Sequence, residues 1–208
     1  VNREQWLQSA VEKLRPLFLG HGYTVKEVQV SVGFPSRNPL GLAKRTIGQC
    51  WDGSTTKDGK PQIFISPLLD DVATDPQGVL ATLVHELVHA TIGCEAAHGP
   101  KFAKAARKLG LDGKPTATHA GDDLIVRLKQ IADELGAFPH TKLVPGEKLR
   151  KKQTTRMKKA VCNCGYTVRL TKKWMDEVGL PICPGGMSET PHGQMKVELP
   201  GEDDGGDE

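Results

Sequence analysis

Along the first half of the chain, apolar positions keep the period of helices in some stretches and alternate in others. Trp6, Leu7, Ala10, Val11, Leu14 and Phe18 fall on one face of a helix. Asn2 and Gln5 have the spacing of a capping box, Gly20 reads as the stop, and Pro16 is expected to bend or shorten the last turn. Val28, Val30 and Val32 alternate as in a half-buried strand. The polar connection Asp52 to Pro61 joins a strand ending at Trp51 to a strand at Gln62–Ser66 and reads as a long hairpin. Val79, Leu80, Leu83, Val84, Leu87 and Val88 then predict a mostly buried helix over about 76–92. Asp75 is its expected N-cap, Pro76 its first residue and Gly93 its stop. A further helix is expected from Pro100 through Phe102, Ala106 and Leu109. Another runs over about 122–136, with Leu124, Ile125, Leu128, Ile131, Ala132 and Leu135 on one face.

The buried helix carries the most informative residues, His85-Glu86-Leu87-Val88-His89. Positions four apart lie one above the other on a helix, so His85 and His89 stand side by side as two ligands of one zinc ion. Glu86 lies between them as the general base. Two buried imidazoles and a carboxylate are costly without a partner, which disfavours a plain core helix. A catalytic zinc takes three protein ligands and leaves one position open. His98, at the entrance of the Pro100 helix, is the candidate third ligand. Glu95, six residues after His89, is its rival, and Cys94 is read either as a thiolate ligand or as a small packing residue. His119 and His140 receive no role.

These residues resemble a known family. Leu83-Val84-His85-Glu86-Leu87-Val88-His89-Ala90, followed by His98-Gly99-x-x-Phe102, is similar to the SprT-like (Spartan-type) zinc metalloprotease domain. So is the order helix, then Val28–Val32, Thr46–Trp51 and Gln62–Ser66, then helix, over about residues 3–112. The resemblance implies a minimal zincin-like α+β peptidase fold with one catalytic zinc on three histidines and a glutamate base. Many members of the family act on proteins bound to DNA and carry an added zinc- or DNA-binding module. The architecture also implies that the strand before the active helix, here Gln62–Ser66, is a sheet edge to which a substrate peptide can add by backbone pairing; an ordinary paired strand is the alternative.

Charge separates the remainder. Lys142 to Lys159 holds eight Lys/Arg against the single acid Glu147, whereas Glu198 to Glu208 holds six acids and no base, so the net charge is only +3. The basic stretch is expected to bind phosphate backbones weakly and without sequence preference, a solvated linker being the alternative, and the acidic tail is expected to be disordered and able to compete for it. Between them lie Cys162-Asn163-Cys164-Gly165 and Cys183-Pro184-Gly185-Gly186. Cysteine turns at this separation build small zinc ribbons, whose folding energy comes from the metal. The second turn has Gly186 where a fourth cysteine is expected, so His192 is the candidate that completes a second, structural zinc site with Cys162, Cys164 and Cys183. A metal-free hairpin is the alternative. Trp174 with Arg169, Lys172 and Lys173 reads either as a stacking platform for a nucleic acid strand or as a core residue of the ribbon.

The expected organisation is a SprT-like zincin domain (1–140), a basic linker (141–158), a β zinc-ribbon-like module (159–200) and an acidic tail (201–208). No apolar run approaches the ~18 residues of a membrane span, no secretion signal is visible, and five cysteines are too irregular for a disulfide framework. A reducing intracellular setting, cytoplasmic or with nucleic acid, is therefore expected. The function read from the sequence is a zinc endopeptidase acting on proteins associated with nucleic acid. Lys151, Lys152, Lys158, Lys159, Arg169, Lys172 and Lys173 are the expected nucleic-acid contacts. The alternative is a non-catalytic scaffold that binds nucleic acid or protein.

Overall fold

In a computed structural model that describes residues 1–41, 43–75, 77–146, 157–187 and 192–197, the chain is a mixture of five helices and small sheets. It divides into two compact units, residues 1–150 and 151–208.

The first unit opens with α1 (Arg3–Gly20). Asn2 caps it: its side chain accepts from the Gln5 N–H at 2.8 Å, and the Gln5 side chain accepts from the Asn2 N–H at 2.9 Å. The helix continues through Pro16 to Gly20, with Phe18 fully buried, so Pro16 does not shorten it. A three-stranded sheet follows, made of β1 (Gln29–Val32), β2 (Gly48–Trp51) and β3 (Gln62–Ile65). β2 and β3 form the expected antiparallel hairpin, with Trp51 opposite Gln62. β1 pairs parallel to the other side of β3, so the order is β1-β3-β2. This corrects one expectation. The strand before the His85–His89 helix is the centre of the sheet, and β2 is an edge.

α2 (Val79–Ile92) packs on this sheet and is buried on nearly all sides, as a helix apolar around most of its circumference must be. Leu80, Leu83 and Leu87 are fully buried, each contributing about 1.5–3 kcal/mol by removal from water. The helix starts three residues later than predicted, with Gly78 as N-cap and Pro76 outside the described residues. The reason lies in the preceding loop. The Asp71 and Val72 carbonyls accept from the Val79 and Leu80 N–H groups at 2.8 and 3.0 Å, satisfying donors that a capping side chain would otherwise take. The Asp71 carboxylate in turn accepts from the Thr74 and Asp75 N–H groups, both at 2.8 Å. α3 (Pro100–Lys108) follows a short turn. Then come a hairpin of β4 (Leu111–Lys114) and β5 (Ala117–Ala120) and the helix α4 (Asp122–Leu135). The Trp6 indole donates to the Gly136 carbonyl at 3.1 Å, fastening the end of α4 to α1.

The second unit contains the hairpin β6 (Lys158–Val161) and β7 (Thr167–Leu170), the short helix α5 (Lys172–Glu177) and the strand β8 (Lys196–Val197), in the sheet order β7-β6-β8. Among its described residues, Ala160, Cys162, Cys183 and Met195 form a buried apolar cluster, with Val168, Leu170 and Leu180 packed against them. Among the described residues no helix is long and apolar enough to cross a membrane.

Candidate metal centres

α2 carries His85 and His89 on one face, and the turn after it returns the chain so that His98 meets both. The Nε2 atom of His98 lies 3.2 Å from Nε2 of His85 and 3.2 Å from Nε2 of His89. The three side chains form one of two groups among the described residues that could hold a metal ion, their ligand atoms all within 4.8 Å of one another. Tetrahedral zinc at ~2.05 Å from each nitrogen would set its ligands about 3.3 Å apart, so the spacing fits that ion. Neither Glu95 nor Cys94 belongs to the group. Glu95 is exposed, with its carboxylate folded back against Gly93.

Phe102, fully buried at the start of α3, is the common wall. Its ring centroid lies 4.4 Å from that of His89, 4.8 Å from His85 and 5.0 Å from His98. Burial against this wall pushes the His85 imidazole down to about 3 and His89 to about 4, with the neighbouring imidazoles adding to the effect, and burial lowers His98 as well. All three are therefore neutral at physiological pH, the form that binds a metal. Thr118 on β5 holds the outer nitrogen of one of them: its hydroxyl lies 2.7 Å from Nδ1 of His85. With the Nδ1 proton donated to that hydroxyl, the Nε2 lone pair of His85 faces the centre of the cluster. Thr118 was not visible as a site residue in the sequence. Nothing in the sequence pattern pairs it with a histidine 33 positions earlier. His119 stands opposite Asp112 in the hairpin, and His140 lies 3.1 Å from the Pro67 carbonyl, so neither joins the cluster.

Glu86 is the one fully enclosed carboxylate of α2, 5% exposed. Its carboxyl lies over β2, where a Cβ on Gly48 would come within 2.5 Å of its Oε1. Only glycine leaves that room. Burial pushes the Glu86 carboxyl up to about 8, the Cys94 thiol adds to the rise, and the Cys50 backbone N–H opposes it. A carboxyl poised near neutrality both accepts and returns a proton.

The second group is Cys162, Cys164, Cys183 and His192. The hairpin turn presents the first two: the Gly165 N–H donates to the Cys162 carbonyl at 2.8 Å, and the Cys162 N–H to that of Tyr166 at 2.9 Å. Gly165 takes φ +88 in this turn, a conformation that favours glycine. The Cys183 Sγ lies 3.6 Å from that of Cys164 and 3.6 Å from Nδ1 of His192. Tetrahedral thiolates at ~2.3 Å from zinc would be about 3.8 Å apart, so this donor set also fits. A Cβ on Gly185 would meet the His192 ring at 2.9 Å, so the missing side chain there gives the histidine its place. The Tyr166 backbone N–H and the neighbouring thiols hold the Cys164 thiol down at about 7, which favours the thiolate.

Of the expected nucleic-acid residues, Lys151 and Lys152 lie outside the described residues, as does the acidic tail. Lys158 and Lys159 are on β6, Arg169 on β7, and Lys172 and Lys173 begin α5. Lys159 stands directly opposite Arg169 in the hairpin. Lys172 pairs with Asp176 at 2.5 Å. Trp174 is 54% exposed with the Lys173 ammonium 5.2 Å from its ring centroid, so it is not a core residue. Compared with protein-family models, curated proteins and solved structures, the chain matches none.

Proposed function

We propose that the chain is a zinc-dependent endopeptidase of SprT-like type that acts on proteins associated with nucleic acid. The observation that carries this reading is the convergence of three neutral imidazoles, two of them on the helix that also carries the enclosed Glu86 carboxyl. His85, His89 and His98 would hold one zinc, with Thr118 orienting His85. When bound there, zinc would supply Lewis-acid polarisation of the scissile carbonyl and activation of a water molecule. Glu86 would serve as the group that takes a proton from the attacking water and returns it to the departing amine. β2, the sheet edge whose Gly48 touches Glu86, is the edge to which an extended substrate adds by backbone pairing.

The second unit is read as a zinc-ribbon-like module, with Cys162, Cys164, Cys183 and His192 around a structural zinc. Its nucleic-acid role rests on two features. Lys159 and Arg169 stand opposite each other across the hairpin, which gathers two cations at one place on the sheet, as contacts to a phosphate backbone require. Trp174 offers an exposed ring for base stacking next to Lys173.

The test is cleavage of a protein substrate by the zinc-loaded full chain, with and without single-stranded or double-stranded DNA, alongside binding measured over a range of salt. The expected result is zinc-dependent cleavage and an affinity that falls steeply with salt but varies little with sequence. Neutralising Lys151, Lys152, Lys158 and Lys159 together should flatten the salt slope and leave cleavage of a free peptide intact. Absence of nucleic-acid binding at low salt would replace this reading with a protease acting on free proteins.

A further inference from the structure

The five cysteines divide into three and two. Cys162, Cys164 and Cys183 belong to the cluster of the second unit. Cys50 and Cys94, 44 positions apart in the chain, meet in the first unit with their Sγ atoms 3.5 Å apart. Both are free thiols and partly exposed, so a small oxidant reaches them. Cys50 lies on the edge strand β2, and its carbonyl accepts from the Cys94 thiol at 3.6 Å. Cys94 begins the turn that carries the chain from His89 to His98. That turn is bounded by Gly93 at φ +97 and Ala97 at φ +41, the latter a conformation that a residue with a side chain adopts at a cost. On the β2 side the neighbour of this turn is Cys50.

We infer that Cys50 and Cys94 form a reversible disulfide that clasps the turn leading to His98 onto β2 and slows the loss of metal from the His85/His89/His98 cluster. The metal half of this inference rests on the zinc reading above, and neither half depends on proteolysis. The hydrogen bond between the thiols lowers Cys94 below its ordinary value and raises Cys50, so Cys94 is the sulfur that ionises first. With hydrogen peroxide as oxidant, the Cys94 thiolate attacks one oxygen and becomes a sulfenic acid, releasing hydroxide. The Cys50 sulfur then attacks the Cys94 sulfur, the S–O bond breaks and water leaves. In total two thiols and one peroxide give one disulfide and two waters. A small dithiol reverses the step by exchange.

The experiment uses the zinc-loaded full chain. Zinc uptake at the histidine rings is recorded by NMR before oxidation. The protein is then exposed to limited hydrogen peroxide, remaining thiols are alkylated, and cross-linked peptides are mapped. Zinc loss from the histidines to a competing chelator is followed before and after. The expected result is a Cys50–Cys94 cross-link that dithiothreitol removes, together with zinc loss slowed about tenfold. Both effects should vanish in Cys50→Ser and in Cys94→Ser. If one variant fails to fold, the other carries the control. Cys94 driven on to sulfinic acid with Cys50 still alkylatable would overturn the disulfide. A cross-link that leaves zinc loss unchanged would overturn the clasp. Failure of the histidines to take up zinc at the first step would overturn the zinc reading instead, and is seen separately.

Discussion

The two donor clusters have similar chemistry and opposite foundations. The histidine cluster sits on a helix enclosed by a continuous core that runs from Trp6 and Phe18 through Ile63 and Leu87 to Leu128 and Ile131. Among the described residues the cysteine cluster has little core beneath it: of the four buried apolar residues there, Cys162 and Cys183 are themselves candidate ligands. A site built on an existing core is preorganised, and a metal that binds there adds chemistry to a fold already made. Where the ligands are the core, the metal supplies the fold. The difference fits the division of roles proposed here, one site catalytic and the other structural.

The largest effect that would break this contrast is metal removal. Strong chelation should abolish amide protection across β6, β7 and β8 while leaving protection in α1, α2 and α4 close to that of the loaded protein, as hydrogen exchange would read. Loss of protection in both units together, or in neither, would erase the distinction.

Single ligands sharpen it further. Cys183→Ala should unfold the second unit. His98→Ala should leave the first unit folded but lower its zinc affinity by at least about 100-fold, and Glu95→Ala should change that affinity little. Competition with a chromophoric chelator measures both. A smaller effect is expected one step out from the metal. Thr118→Val keeps the shape of the side chain but removes the acceptor for His85, and should weaken zinc binding by about 10–100-fold without altering the fold. Equal affinity in the variant would show that Thr118 does not orient the ring.

The smallest effect concerns the loop that caps α2. Burial alone would raise the Asp71 carboxyl. The N–H groups of Asp75, Thr74 and Ala73 and the Thr74 hydroxyl outweigh it and hold the carboxyl below its ordinary value. A carboxyl with a lowered folded value contributes stability that is present above the unfolded value of 3.8 and is lost as pH falls through the folded one. Asp71→Ala should therefore cost about 1 kcal/mol in denaturant unfolding at neutral pH, with the difference shrinking on acidification. A pH-independent difference would place the loss elsewhere.

How much of this could be read in the sequence depended on distance along the chain. Helical periodicity located α1, α2, α3 and α4, because neighbours on a helix face are three or four residues apart. The triplet His85, His89 and His98 spans only one turn beyond that, so it too was legible. Strand partners were not. Alternation marks Gln62–Ile65 as a strand but does not say that Val30 lies opposite Ile63, and that parallel pairing is what makes β3 central rather than an edge. Thr118 and Cys50 were missed for the same reason: each meets its partner across the fold, and neither residue type announces a role. The start of α2 was misplaced because backbone carbonyls of Asp71 and Val72, which leave no signature in the side chains, do the capping.

The central claim is that Glu86 handles the proton beside a metal held by three histidines. Its most direct test is hydrolysis of an unstructured protein by the wild-type chain and by Glu86→Gln at matched zinc content. The account predicts that Glu86→Gln keeps its zinc and loses activity by at least about 100-fold, because the carboxyl is the base and not a ligand. A variant that remains active, or that loses its metal, would contradict it.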